Sequence, residues 1–131
     1  HEVSDAFGIA DKMIVIKEGK TLQVGTPTQI YEHPESSYTA ELTGICNLLS
    51  AAEMNLLKSD SKEADSTFMI RPEWLLEDKN GVVFTIKSVI FSGHFYQYEI
   101  EKQGLQLKWL SFKQFFVDDE IRLSANKYWK F

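Results

Sequence analysis

The stretch that decides the fold is Phe95-Tyr96-Gln97-Tyr98-Glu99-Ile100-Glu101, then Lys102-Gln103-Gly104, then Leu105-Gln106-Leu107-Lys108-Trp109. Tyr96, Tyr98 and Ile100 alternate with Gln97, Glu99 and Glu101. Beyond the glycine, Leu105, Leu107 and Trp109 alternate with Gln106 and Lys108. Successive side chains of a strand point to opposite faces, so this period of two predicts an antiparallel hairpin with one buried face.

Upstream, Val82 to Phe91 alternates over a longer span, with Phe84, Ile86 and Ile90 on one side and Val83, Val89 and Phe91 on the other. Apolar residues on both sides suit a strand that curls into a barrel, and Ser92-Gly93-His94 ends it. Downstream, Ile121 and Leu123 turn inward with Glu120, Arg122 and Ser124 outward, and Trp129 and Phe131 are expected to close the chain as a terminal flap. Phe68-Met69-Ile70 supplies one more short strand. Five or so short strands of this kind predict a mainly β fold around a small barrel of the oligonucleotide-binding (OB) type.

The N-terminal residues read differently. Val3, Ala6, Phe7 and Ala10 share a helix face, and Met13-Ile14-Val15-Ile16 is a continuous apolar run that predicts a strand buried on both sides. Glu18-Gly19 turns the chain into a second, half-exposed strand with Leu22 and Val24 on one face and Thr21 and Gln23 on the other. Thr26-Pro27-Thr28-Gln29 is a helix start, with Thr26 as N-cap, Pro27 in the first turn and Gln29 closing a capping box. The short helix should carry Ile30 and Tyr31 inward and stop before Pro34. Ser36 or Ser37 caps another, with Tyr38 and Leu42 inward and Gly44 at its end. Helix, buried strand and hairpin are closing elements of an α/β domain. The expected division is residues 1–46 as an α/β segment and 47–131 as the β domain. Helical propensity over Ala51 to Leu57 competes with a strand near Asn47 to Ser50, and a polar loop falls near 59–66.

Composition narrows the function classes. The chain has 131 residues, 25% of them charged and 44% hydrophobic, which describes a globular domain. No apolar run approaches the ~18 residues of a membrane span. Cys46 is the single cysteine, which precludes an intramolecular disulfide, fits a reducing compartment and is expected to be a buried thiol. Net charge is −5, unevenly spread: residues 1–65 hold five lysines against eleven acids, and the rest nine basic against eight acidic residues. A nucleic-acid partner normally needs a basic face, so none is expected.

His1, Asp5-Ala6, Ile9-Ala10-Asp11-Lys12, Gly19, Gln23, Gly25-Thr26-Pro27, Ile30-Tyr31, Pro34 and Gly44 together resemble the C-terminal end of the ATP-binding subunit of an ABC transporter. The similarity is to the importer branch (maltose-, polyamine- and iron-like), whose subunits end in a transport-associated OB-like regulatory (TOBE) domain. The resemblance implies that residues 1–46 are the last elements of the ATP-binding domain and 47–131 the TOBE-like domain. It makes His1 the switch histidine that hydrogen-bonds the γ-phosphate of ATP, as suits an imidazole donating to developing phosphate charge. Glu2 and Asp5 stand where the family usually has Asp and Glu, which keeps the charge and alters the reach.

The same resemblance implies ATP and Mg²⁺ as ligands of the intact subunit, with none expected in this piece, where His1 is inactive. It implies a homodimer, membrane-spanning permease subunits as partners, and a cytoplasmic place on the inner face of a bacterial cell membrane. Cargo would be selected by the permease and its binding protein. The function expected is therefore ATP-driven solute import, with the β domain regulating or dimerising the subunits; this chain alone should not hydrolyse ATP. The competing class is a stand-alone OB module for single-stranded nucleic acid or a small anion.

Arg71-Pro72-Glu73 is similar to the family's hallmark at that place. It reads either as a plain structural turn with an ion pair or as a contact to the catalytic domain, and the turn is preferred. No second His, Cys or spaced carboxylate pair accompanies His94, so a metal site there is not expected; His33, before Pro34, reads as a loop residue. Strand Met13 to Ile16, with an open edge and an apolar face, should seek a second copy of the chain through residues 1–45.

Overall fold

Short capped helices and a set of antiparallel strands build the molecule, and a computed structural model describes residues 3–58 and 65–131. It is mainly β, with several antiparallel sheets, consistent with an OB-like β domain. The chain divides into two compact units at Cys46/Asn47.

In the first unit α1 (Val3–Ile9) leads to a hairpin of β1 (Met13–Lys17) and β2 (Lys20–Gly25). Glu18 and Gly19 turn it with φ of 52° and 76°, the left-handed pair whose twist matches a two-residue hairpin. Only one face of the ribbon is buried, and it is not the aliphatic one. Val15 is 3% and Gln23, directly opposite it, 7% exposed, whereas Ile14 and Val24, also opposite each other, are 59% and 53% exposed. The expectation of a strand buried on both sides is thus corrected, because among the described residues of this unit β1 pairs only with β2 and only one side of the ribbon is covered. Gln23 is tolerated inside because both ends of its amide are used: Nε2 donates to the His33 carbonyl at 3.0 Å, and Oε1 accepts from the Glu35 N–H at 2.9 Å.

Helix α2 (Pro27–Glu32) starts with the expected capping box, the Gln29 N–H donating to Thr26 Oγ1 and the Thr26 N–H to Gln29 Oε1. Ile30 is fully buried, and His33 ends the helix. Ser36 caps α3 (Ser37–Leu42), which buries Thr39 and Ala40. Leu42, expected inward, is 46% exposed, and Thr43 lies inside in its stead. Its hydroxyl donates back to the Thr39 carbonyl at 2.7 Å, which satisfies the polar group at a buried helix end.

In the second unit the conflict over residues 47–57 resolves as both elements in succession. Strand β3 (Asn47–Ser50) runs into one turn of helix, α4 (Ala51–Met54), closed by a Ser50–Glu53 capping box. Strand β4 (Thr67–Ile70) and a 3-10 turn (Pro72–Trp74) follow, then β5 (Leu75–Phe91), β6 (Tyr96–Lys102), β7 (Leu105–Ser111), β8 (Glu120–Ala125) and β9 (Trp129–Lys130). They form a three-stranded sheet, β3-β4-β9, and a four-stranded one, β7-β6-β5-β8, all pairs antiparallel. Strand β5 is longer than its alternation suggests, since it begins at Leu75. Residues 78–81 loop out of the pairing, so that Glu77 and Val82 both face Leu123. Gly81 is required there: a Cβ would meet the Leu123 carbonyl carbon at 2.6 Å.

A side chain joins the two sheets. Asn47, on β3, reaches β7 across 61 residues of chain: its Nδ2 donates to the Lys108 carbonyl at 2.9 Å and its Oδ1 accepts the Lys108 N–H at 2.7 Å. It thereby occupies backbone groups that edge strand β7 would otherwise leave open. Phe84, Ile86, Tyr98, Ile100 and Leu123 are fully buried, and Trp109 is 2% exposed. A second irregularity, between Ile86 and Ser88, shifts the phase of β5, which explains why Ile90 is exposed although Phe84 and Ile86 are not.

Candidate functional site

The Arg71-Pro72-Glu73 turn sits where β4 hands over to β5, and its two charged residues differ in burial. Arg71 is fully buried, and its carbonyl accepts the Trp74 N–H at 2.9 Å to form the 3-10 turn. Glu73 lies exposed on the surface. Pro72, with φ fixed, needs no N–H partner in the first turn. The Trp74 carbonyl accepts the Asn126 N–H at 2.9 Å, and the Lys127 ammonium sits over the indole of Trp74, 4.9 Å from the ring centroid. The turn is therefore pinned on the side where β8 ends. A guanidinium in the core is costly to bury unless engaged, and Arg71 is not without a partner.

Glu73 opens onto a cavity of about 330 Å³ between the start of β5, the His94-Phe95 turn and the end of β7. Its walls are mostly apolar. Trp109, 2% exposed, borders it with little open surface, held by its Nε1–H, which donates to the Leu75 carbonyl at 2.9 Å. Phe95 and Phe112 add two more rings, while Glu73 and Glu77 bring carboxylates to the same space. Phe112 is 81% exposed, an apolar side chain left open beside the cavity. Lys113 approaches Glu77 to 2.9 Å at the surface.

The segment carrying Phe112 is positioned by Tyr98. Its hydroxyl donates to the Lys113 carbonyl at 2.6 Å and accepts the Phe115 N–H at 2.8 Å, so one buried phenol fixes both sides of residue 114. Burial pushes the Tyr98 phenol above its ordinary pKa of 10.0, the Phe115 N–H partly offsets this, and Tyr96 and Asp119 add smaller upward pushes. Tyr98 packs on Trp109 with centroids 5.2 Å apart, and Phe115 closes the group at 5.9 Å from Tyr98 and 5.5 Å from Trp109. Period two marks Tyr98 and Trp109 as core. It gives no hint that their polar atoms organise the loop and strand around the cavity.

His94 is exposed, lines the cavity and packs edge-on against Phe95 at 4.8 Å. Among the described residues no group of His, Cys, Asp and Glu side chains is arranged to hold a metal ion. Cys46, expected to be buried, is of intermediate exposure. His1 and most of the polar loop near 59–66 lie outside the described residues. No helix among the described residues is long and apolar enough to cross a membrane.

No protein-family model matches the chain. It is 31% identical over 119 residues, 79% of its length, to a spermidine/putrescine import ATP-binding protein of Borreliella afzelii, and 28% identical over 95% of its length to the protein of that name in Malacoplasma penetrans. An Fe(3+) ions import ATP-binding protein of Photorhabdus laumondii is 29% identical over 82% of the chain. Homologues over most of this chain are ATP-binding subunits of ABC importers. The match spans 34%, 24% and 35% of those three relatives respectively, so the chain corresponds to about a quarter to a third of each.

Proposed function

We propose that this chain is the C-terminal region of the ATP-binding subunit of an ABC importer, with residues 1–46 ending the ATP-binding domain and 47–131 forming a TOBE-like regulatory domain. The observation that carries the reading is similarity to such subunits over most of this chain but only about a quarter to a third of theirs. The β1–β2 ribbon supports it physically: Ile14 and Ile16 are 59% and 57% exposed on a face that further sheet layers of a larger domain would cover. Neither an OB module for nucleic acid nor one for a small anion accounts for this first unit.

In the intact subunit ATP and Mg²⁺ would supply the phosphate chemistry, and apart from His1 no residue of this chain is assigned to hold them. What the chain itself supplies is His1, a hydrogen-bond donor to the γ-phosphate that strengthens as charge develops there. The subunit acts as a homodimer beneath membrane-spanning permeases, on the cytoplasmic face of the membrane. Arg71 holds the 3-10 turn from inside the β domain, and Glu73 is the charged residue of that motif at the surface.

The test is ATP turnover by the purified full-length subunit carrying His1→Ala. Loss of a transition-state donor should lower kcat by about 10²–10³-fold while nucleotide binding persists. Unchanged turnover in a folded, ATP-binding variant would remove His1 from the mechanism.

A further inference from the structure

The cavity beside the Arg71-Pro72-Glu73 turn has a chemistry that ATP-driven transport does not use. We propose that it is a binding site for a small organic ammonium ion with an apolar body, an aryl- or alkyl-substituted amine. Three observations converge on that ligand class. The volume, about 330 Å³, lies at the lower end of the ~300–1,000 Å³ typical of small-molecule sites. Phe95 and Phe112 are among its lining residues, with Trp109, only 2% exposed, behind them, and an aromatic face open to the cavity attracts a cation while burying the carbon chain attached to it. Glu73 and Glu77 bring two carboxylates to the same cavity, which complements a positive headgroup and disfavours an anion.

The site is also built and not merely open. Trp109 is fixed by its bond to the Leu75 carbonyl, and the segment after Phe112 is held by the two hydrogen bonds of Tyr98. Phe112, 81% exposed, is the wall that a ligand would cover. Lys113, which meets Glu77 at 2.9 Å, is a surface side chain 70% exposed, so that ion pair is weak and can yield to a bound ammonium.

The experiment is titration of the whole chain with phenethylammonium, followed by calorimetry and by the indole N–H resonance of Trp109. Phenylacetate, of similar shape and opposite charge, and putrescine, with charge at both ends and no apolar terminus, are run in parallel. Phenethylammonium should saturate and shift the Trp109 signal, with both comparison ligands at least roughly tenfold weaker. Phe112→Ala and the double variant Glu73→Gln/Glu77→Gln should each weaken binding about tenfold without moving the melting temperature, since all three residues are at the surface. Equal binding of phenylacetate removes the role of the carboxylates, and equal binding of putrescine removes that of the apolar walls. No heat and no shift up to roughly 10 mM would overturn the site altogether. None of these outcomes depends on the transporter assignment.

Discussion

Replacing Trp109 by alanine tests the packing of the β unit at its most loaded position. The indole is 2% exposed, stacks against Tyr98 and Phe115 at 5.2 and 5.5 Å, and donates from Nε1 to the Leu75 carbonyl at 2.9 Å. Aromatic pairs of this geometry contribute ~0.5–1.5 kcal/mol each beyond burial, and one hydrogen bond ~1 kcal/mol. Truncating a buried tryptophan costs about 3–5 kcal/mol in total. That is a large share of the ~5–15 kcal/mol that holds a typical domain together. At about 4–8 °C per kcal/mol for a domain of this size, the melting temperature should fall by at least ~12 °C. Far-UV circular dichroism melts of the full chain give the answer, and Trp109→Phe separates the causes: it keeps a ring and strands the Leu75 carbonyl, for a loss of about 1–2 kcal/mol. A Trp109→Ala variant melting within ~2 °C of the parent would refute the placement of this ring at the centre of the unit.

Arg71→Ala should destabilise the β unit by about 3 kcal/mol or more, because losing a fully buried guanidinium leaves both a void and a stranded partner; urea denaturation measures it. Asn47→Ala should cost about 1–3 kcal/mol and raise hydrogen exchange at the Lys108 amide, which loses its acceptor; unchanged exchange there would mean that the two sheets are not joined through Asn47. Tyr98→Phe should cost about 1–2 kcal/mol near neutrality and loosen residues 112–116. Because the folded phenol holds its proton above its ordinary 10.0, its contribution is complete below pH 10 and lost as pH rises beyond it. The stability gap between parent and Tyr98→Phe should therefore narrow above pH 10, and a gap that widens would mean that the phenol is shifted the other way.

How much of the fold is legible in the sequence depends on how local each cause is. Tyr98, Ile100, Leu105, Leu107 and Trp109 are legible as core because a strand's alternation needs only neighbours in sequence. Thr26 and Gln29 are legible because a capping box closes within one turn. Gln23 is not: its burial depends on carbonyl and amide groups ten and twelve residues away, and without them the apolar Leu22 and Val24 are the natural inward residues. The start of β5 at Leu75 is hidden because residues 78–81 interrupt the alternation while leaving the pairing with β8 intact. Asn47 gives no local sign of a bond spanning 61 residues. The cavity is similarly composite. Its rings and carboxylates come from the 3-10 turn, from β5, from the turn after it and from β7, and only folding brings Glu73, Phe95 and Phe112 to one space.

Whether this chain continues an ATP-binding domain is decided by the reading frame immediately upstream of His1 in the source genome. Sequencing it should show an apolar strand ending in an Asp-Glu pair shortly before His1, with a glycine-rich phosphate loop farther upstream. An open reading frame that extends upstream without those two features would refute the assignment to an importer's ATP-binding subunit.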